Sequence, residues 1–302
     1  MIYDFAIIGG GPAGLSAAIY AARFRLKAVV LAKEPGGTLT KIHLMENWPG
    51  EQGISGAALA DRLVNHAKDL GVDIMQTEVQ SVSRKGKNFL IRADEGNFEA
   101  ISILFATGTK HRHLGVPGEK EFYGRGVSYC AVCDATFFKG KTVAVIGGSD
   151  SAANEALLLS EHAKKVYIIY RKEKIRAEPI NCEKIANNKK IEVIANTNVK
   201  EIEGDKFVKS VVLDKPYKGS AKLPLDGIFV EVGYHPHSEL AKSLGVKIDE
   251  NGEIRIGCES ETNMPGVFAA GDVTSGSFKQ AITAAAQGVT ASNSAYKYVT
   301  ER

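Results

Sequence analysis

Residues 2–8 form an apolar run carrying one charge, Asp4. A run of that length bounded by glycines predicts a buried strand. After Gly9-Gly10-Gly11-Pro12-Ala13-Gly14, the residues Leu15, Ala18, Ile19 and Ala22 recur at helical spacing, and 28–31 is apolar again. Strand, glycine turn, helix and strand make a βαβ unit. The same order returns downstream. Residues 142–146 are an apolar strand, Gly147-Gly148-Ser149-Asp150-Ser151-Ala152 is the turn, and 153–162 reads as a helix with Ala153, Ala156, Leu157 and Ser160 on one side. Residues 166–170 are the next strand. The first glycines of the two turns lie 138 residues apart, too far and too divergent for a solenoid repeat.

Further apolar runs predict strands at 89–92, 101–106, 191–194, 209–213, 227–232 and 267–270, and a last helix over 278–298. Two Gly- and Pro-bearing connections, 107–119 and 233–238, bracket the second βαβ unit. The pattern predicts an α/β chain of two Rossmann-like, three-layer nucleotide-binding domains, one inserted into the other. The discontinuous domain takes residues 1–114 and 239–302, and the inserted domain 115–238.

Length agrees with two domains, since 302 residues at about 150 per domain gives that number. Lys and Arg number 38 against 35 Asp and Glu, a net charge of +3. So even a balance argues against nucleic acid or a membrane surface as partner. With 31 Gly and only 9 Pro, the composition favours tight turns over disorder. Residues 5–22 carry no charge, but the Gly-Pro cluster divides them, so a spanning helix is a poor reading. The first residues show no basic, cleavable leader pattern, and a cytoplasmic location is expected.

Gly9, Gly11 and Gly14 follow a strand and open a helix. That placement suits a tight turn, close approach to a pyrophosphate, and close helix packing. Glu34 stands 20 residues beyond Gly14, where a ribose hydroxyl partner is expected. The turn alone does not choose FAD over NAD. Near the other end, 262–273 is a short apolar strand ending in Gly271-Asp272; such an acid can reach a ribityl hydroxyl, or can be an ordinary turn residue. The second turn, Gly147-x-Ser149-x-x-Ala152, is a softened version of the first. The next strand ends in Arg171 and Lys172, with Arg176 following and no acid in place. Basic groups there favour the 2′-phosphate of NADP over the free hydroxyl of NAD.

Cys130 and Cys133 form C-x-x-C, ending 14 residues before Gly147. Zinc needs two further ligands, and Cys182 and Cys258 are single and distant, which favours a redox disulfide and no metal. Cys182 and Cys258 are read as structural. Asp134, next to the pair, can give or take a proton during thiolate chemistry.

These stretches together resemble the low-molecular-weight thioredoxin reductases. The resemblance spans nearly the whole chain: G-G-G-P-A-G at 9–14, E-N-W-P-G at 46–50, A-T-G at 106–108, G-V-S-Y-C-A-V-C-D at 126–134, and V-A-V-I-G-G-S-D-S-A at 143–152. R-K-E-K-I-R at 171–176, P-G-V-F-A-A-G-D-V at 265–273 and K-Q-A-I-T-A-A at 279–285 complete it. The resemblance implies a homodimeric flavoprotein. It passes electrons from NADPH through FAD and the Cys130–Cys133 disulfide to a thioredoxin-like protein. FAD would lie along Gly9, Gly11, Pro12, Ala13, Gly14, Glu34, Gly37, Thr38 and Asn47. Ala106, Thr107 and Gly108 would add to it, with Gly271, Asp272, Lys279, Gln280 and Ala281. NADPH would take Gly147, Gly148, Ser149, Asp150, Ser151, Arg171, Lys172 and Arg176. By the same resemblance Cys133 is the flavin-side sulfur, Cys130 attacks the substrate disulfide, and Asp134 is the acid–base. Departures from the family pattern are Ala135 for Gly, Tyr170-Arg171-Lys172 for His-Arg-Arg, Thr38 for Gln and Lys279 for Arg. One dithiol must serve both a buried flavin and a bulky protein, so the inserted domain is expected to rotate about its two connections. A dithiol oxidase and a flavoprotein reductase of ferredoxin or flavodoxin share the fold and are the rival readings; the C-x-x-C counts against the second.

Overall fold

The computed structural model describes residues 1–276 and 278–302. The chain forms two compact units, Met1–Lys110 with His235–Arg302, and His111–Tyr234. Both crossings lie a few residues upstream of 114/115 and 238/239. Leu114 and Val116 already pack on the core of the second unit. On the return, His237 N–H donates to the Gly108 carbonyl and Ser238 Oγ to the Gly252 carbonyl, both in the first unit.

The first unit opens with β1 (Ile2–Ile8), α1 (Pro12–Arg23), β2 (Ala28–Ala32), α2 (Gly56–Asp69), β3 (Asp73–Gln76), β4 (Val79–Lys85), β5 (Asn88–Ala93) and β6 (Gly96–Phe105). The chain leaves through β7 (Thr109–His111). The second unit contains β8 (Val127–Ser128), α3 (Ala131–Asp134), β9 (Thr142–Ile146), α4 (Asp150–His162), β10 (Lys165–Ile169), α5 (Pro179–Ala186) and β11 (Ile191–Ile194). It continues with β12 (Val199–Gly204), β13 (Val208–Tyr217), β14 (Ser220–Pro224) and β15 (Gly227–Val230). The chain returns through β16 (Tyr234–Pro236), which pairs with β7, and adds α6 (Glu239–Leu244), β17 (Val267–Ala269) and α7 (Ala281–Thr300).

In the first unit β3, β2, β1 and β6 run parallel in that order. The far edge of β6 pairs with antiparallel β5 near its start and parallel β17 near its end. Ile8 lies opposite both Leu31 and Phe105, so the three strands finish together and their following turns emerge along one edge. Ligands of doubly wound sheets bind at such an edge. Strand alternation divides the core. Phe5 and Ile7 pack with Ala17, Ala18 and Ala21 of α1 and Ala291 and Ala295 of α7. Ala6 and Ile8 face Phe89 and Ile91 of β5 and Ala241 of α6.

The second unit has a five-stranded parallel sheet, β11-β10-β9-β15-β8. Val143, Val145, Val166 and Ile168 meet Ala152, Ala153 and Ala156 of α4. Ala144 and Ile146 face Val199, Ile202, Val211 and Leu213 of the antiparallel sheet β12-β13-β14. Each unit is therefore a Rossmann-like sheet between two covering layers, as the α/β prediction required.

Several elements differ from the sequence expectation: β3, β4, β12, β14, α5 and α6 lie outside the runs it named, and two helix starts show why. The last helix begins at Ala281 rather than 278, because Gln280 and Thr283 close a reciprocal capping box there. Helix α2 was not anticipated; Ser55 caps it by accepting Ala58 N–H at 3.1 Å. Among the described residues no helix is long and apolar enough to cross a membrane.

Glu119 holds the entry to the second unit. It is 2% exposed and accepts Leu114 N–H at 2.6 Å, Gly115 N–H at 2.7 Å and the Tyr129 hydroxyl at 2.6 Å. Burial would raise its pKa, but those three hydrogen bonds outweigh it and hold the carboxyl below 4.5. Glu119→Ala leaves buried donors without an acceptor and is expected to cost about 3 kcal/mol, read by denaturant unfolding. A depressed folded pKa gives stability that is present above the unfolded value and is lost as pH falls through the folded one. The difference between the wild type and Glu119→Ala should therefore be full above 4.5 and shrink in acid.

Candidate functional site

The first glycine turn is built by exclusion. Gly9 has φ +115°, and a Cβ there would stand 2.1 Å from the Ala106 carbonyl oxygen. A Cβ on Gly14 would stand 1.9 Å from the Gly9 oxygen. At Gly11, by contrast, a Cβ would meet nothing within 4 Å. Gly11 is the N-cap of α1, Pro12 follows, and no side chain caps the first N–H groups. The turn thus pairs a packed floor with an open concavity under free helix N–H donors, which fits a pyrophosphate.

The structure brings much of the predicted flavin set to this edge. Gly36 N–H donates to the Gly10 carbonyl at 2.8 Å, and a Cβ on Gly37 would lie 3.0 Å from the Gly11 Cα. Glu34 and Thr38 are exposed, with Lys41 Nζ 3.7 Å from the Glu34 carboxylate. Ala106 N–H donates to the Ile8 carbonyl at 2.8 Å, and Thr107 Oγ1 donates to the His237 carbonyl at 2.6 Å. Gly108 takes φ +63° as the chain turns away. Gly271, at φ +81°, brings its Cα side against Ala13, where a Cβ would lie 3.1 Å from the Ala13 Cβ. Asp272 is pushed up by burial, with Lys279 opposing, and Lys279 Nζ also donates to the Asp272 carbonyl at 2.8 Å. Asn47 Nδ2 donates to Gln280 Oε1 at 3.1 Å, joining two predicted flavin residues from opposite ends of the chain. Ala281 is the first residue of α7. Sequence reasoning missed Gln287, whose Oε1 accepts Gly271 N–H at 2.8 Å and so fixes that turn. Its one signal was an amide among the alanines of α7.

The second turn repeats the design. Gly147 has φ +152°, and its Cβ would stand 2.2 Å from the Glu231 carbonyl. Gly148 lies on the Tyr170 ring, where a Cβ would be 2.6 Å away. Ser149 is the N-cap of α4 and makes no side-chain cap, leaving those N–H groups free. Arg176 is drawn to the turn, donating N–H to the Gly148 carbonyl at 2.6 Å and Nε–H to the Tyr170 hydroxyl at 3.0 Å. Arg171 and Lys172 follow β10 and are exposed. The Asp150 carboxylate is committed elsewhere: it accepts Glu178 N–H at 2.5 Å and lies 3.5 Å from Asn181 Nδ2. The Ser151 hydroxyl bonds to Tyr234. These two residues can serve a nucleotide through their backbone N–H groups, while their side chains brace the unit.

Cys130 and Cys133 form a disulfide. Cys130 is the N-cap of α3, and its Sγ accepts Cys133 N–H at 3.2 Å. Cys130 is half-buried, Cys133 exposed, and Asp134 ends the helix half-buried. Ala131 N–H donates to Glu155 Oε1 at 2.9 Å. Among the described residues no three His, Cys, Asp or Glu side chains gather as a metal site. Cys182 is half-buried and Cys258 exposed, both as free thiols.

Residues 3–288 match the family model described as pyridine nucleotide-disulphide oxidoreductase. The chain is 42% identical over 304 residues to a thioredoxin reductase of Listeria innocua, covering 99% of this chain and 95% of that one. Its fold is similar to the crystal structure of Lactococcus lactis thioredoxin reductase, with a TM-score of 0.96 and 40% identity over 99% and 100% of the two chains. The thioredoxin reductase of T. acidophilum matches with a TM-score of 0.93 and 39% identity, over 98% of each.

Proposed function

Because the chain belongs to the pyridine nucleotide-disulphide oxidoreductases, within the thioredoxin reductase family, we propose that it is an NADPH-dependent reductase of a thioredoxin-like protein disulfide. The observation that carries this reading is the Cys130–Cys133 disulfide in the same compact unit as the second glycine turn. FAD, held at the first turn, supplies the conversion of a hydride from NADPH into the electron pair that opens the disulfide.

The remaining work belongs to the chain. The open concavity at Gly11 and the free N–H groups of α1 receive the FAD pyrophosphate, and Asp272 and Glu34 offer acceptors for sugar hydroxyls. Ser149 and the start of α4 receive the NADPH pyrophosphate. Arg171, Lys172 and Arg176 meet the 2′-phosphate, with Arg176 aimed by the Tyr170 hydroxyl. In the reduced protein the Cys133 N–H and the start of α3 favour a thiolate at Cys130. That thiolate attacks the partner disulfide, forming a mixed disulfide and expelling one partner thiolate, which takes a proton. Cys133, deprotonated by Asp134, then attacks the Cys130 sulfur. The second partner thiolate takes that proton from Asp134, the partner leaves as a dithiol, and the Cys130–Cys133 bond closes again.

Anaerobic titration with NADPH, then addition of thioredoxin with an insulin disulfide readout, tests the reading. Bleaching of the yellow protein followed by insulin reduction is the expected result. Bleaching without disulfide turnover would point to ferredoxin or flavodoxin reduction, and oxygen uptake without thioredoxin to a dithiol oxidase. Arg176→Ala should raise KM for NADPH about 10- to 100-fold with little change for NADH, since a charge-assisted contact to phosphate is worth about 1.5–3 kcal/mol. Equal losses with both nucleotides would remove the 2′-phosphate from the reading.

A further inference from the structure

Behind α3 the second unit holds two carboxyls that the disulfide chemistry above does not use. Glu155 comes from α4, and its Oε1 accepts the N–H of Ala131, the residue after Cys130. Its Oε2 is buried and has no hydrogen-bond partner among the described residues. Glu231 follows β15 and is 4% exposed. Its Oε2 accepts the Tyr234 hydroxyl at 2.9 Å, and its Oε1 lies 4.0 Å from His111 Nδ1. The groups facing the pair are Asp134 from α3, Ser151 from α4, His111 from β7 and Tyr234 from β16.

A buried carboxylate oxygen with no donor is costly, and a second buried carboxylate nearby adds repulsion. Burial first, then the Asp134 charge, pushes Glu155 up, against the Ala131 N–H. Burial first, then the Glu155 charge, pushes Glu231 up, against the Tyr234 hydroxyl. Two such groups titrate as one system, and the charge on either opposes ionisation of the other.

We propose that Glu155 and Glu231 share one proton behind the redox helix and thereby set the ionisation of the Cys130 thiol. The inference rests on Cys130–Cys133 being the working dithiol. Glu155 and the Cys130 sulfur occupy the same short helix start, one through Ala131 N–H and the other through Cys133 N–H. Opening the disulfide takes two electrons and one proton and yields one thiol and one thiolate. A thiolate on Cys130 is tolerated while the pair keeps its proton and opposed once both carboxyls are charged. The linkage is reciprocal: loss of the pair's proton raises the Cys130 pKa, and ionisation of Cys130 tightens the pair's hold on its proton. Glu155 and Glu231 are positioning residues for charge and touch no substrate.

The test is iodoacetamide alkylation of the NADPH-reduced, flavin-loaded enzyme under argon across about pH 5.5–9.5, with Cys130 read by peptide mass. In the wild type the Cys130 rate should rise in two steps. Glu231→Gln leaves a single carboxylate that never acquires a second charge beside it, so a single step is expected, with the rate in mild alkali, where the wild-type pair is doubly charged, about 3- to 10-fold higher. Glu155→Gln keeps an acceptor for Ala131 N–H and should shift the profile in the same direction. Superimposable profiles for all three proteins overturn the proposal. Should either variant fail to fold, infrared spectra of the wild type in heavy water decide: a protonated-carboxyl band in mild acid must fade as pH rises through neutrality, and its absence also overturns the proposal. Thioredoxin takes no part in either readout. A shifted profile in a protein that cannot reduce thioredoxin would therefore sink the functional reading and leave the pair standing.

Discussion

Cys130→Ser should reduce thioredoxin at below about one thousandth of the wild-type rate, yet still bleach when NADPH is added. A serine hydroxyl cannot form the mixed disulfide, while the nucleotide turns are untouched. Cys133→Ser should be equally inactive but fail differently. Its Cys130 thiolate, still capped by the N–H of residue 133, can attack but cannot be resolved. A disulfide-linked adduct with thioredoxin should then accumulate on a non-reducing gel, and Cys130→Ser should give none. If the adduct forms only in Cys130→Ser, Cys133 is the attacking sulfur and the assignment of the two thiols reverses.

Gly11→Ala and Gly14→Ala should separate cofactor binding from folding within one turn. Gly14→Ala places a Cβ 1.9 Å from the Gly9 carbonyl, a backbone atom that cannot swing aside. The helix must move off the sheet, and a loss of about 3 kcal/mol or more is expected from thermal unfolding. Gly11→Ala adds a Cβ with nothing within 4 Å, at φ −79°, which any residue adopts. Stability of the flavin-free protein should stay within about 0.5 kcal/mol of wild type. The methyl nonetheless occupies the concavity proposed for the pyrophosphate, so flavin retained after gel filtration should fall at least about ten-fold. A yellow Gly11→Ala protein would place the pyrophosphate elsewhere.

The parts legible in the sequence were those with short-range patterns. Both βαβ units, their glycine turns and the C-x-x-C follow from residues within about 30 positions of one another. What stayed hidden depends on distant pairings. Nothing local to Asn47 announces Gln280, and nothing local to Gly271 announces Gln287. Asp150 stood within a nucleotide fingerprint, but the start of α5 claims its carboxylate. Glu155 and Glu231 read as ordinary helix and strand-end acids until the fold buries them together. Helix α2 was missed because its cap, Ser55, precedes a glycine, and Gly56 is required there for packing: a Cβ would stand 2.0 Å from the Leu39 carbonyl.

The contact of α1 with α7 has a consequence for the order of events during synthesis. A Cβ on Gly288 would stand 2.0 Å from the Ala13 carbonyl, so the two helices meet backbone to backbone. Strand β17 likewise joins β6 only after the whole second unit has been made. All five strands of the second unit's parallel sheet, by contrast, lie between Val127 and Val230. The ribosome therefore delivers a complete inserted unit while the first still lacks β17 and α7. At about 5–20 residues per second, making His235–Arg302 takes about 3 to 14 s. Through that interval the alanine face of α1 waits without its cover, a window in which a chaperone can compete with α7 for the same surface.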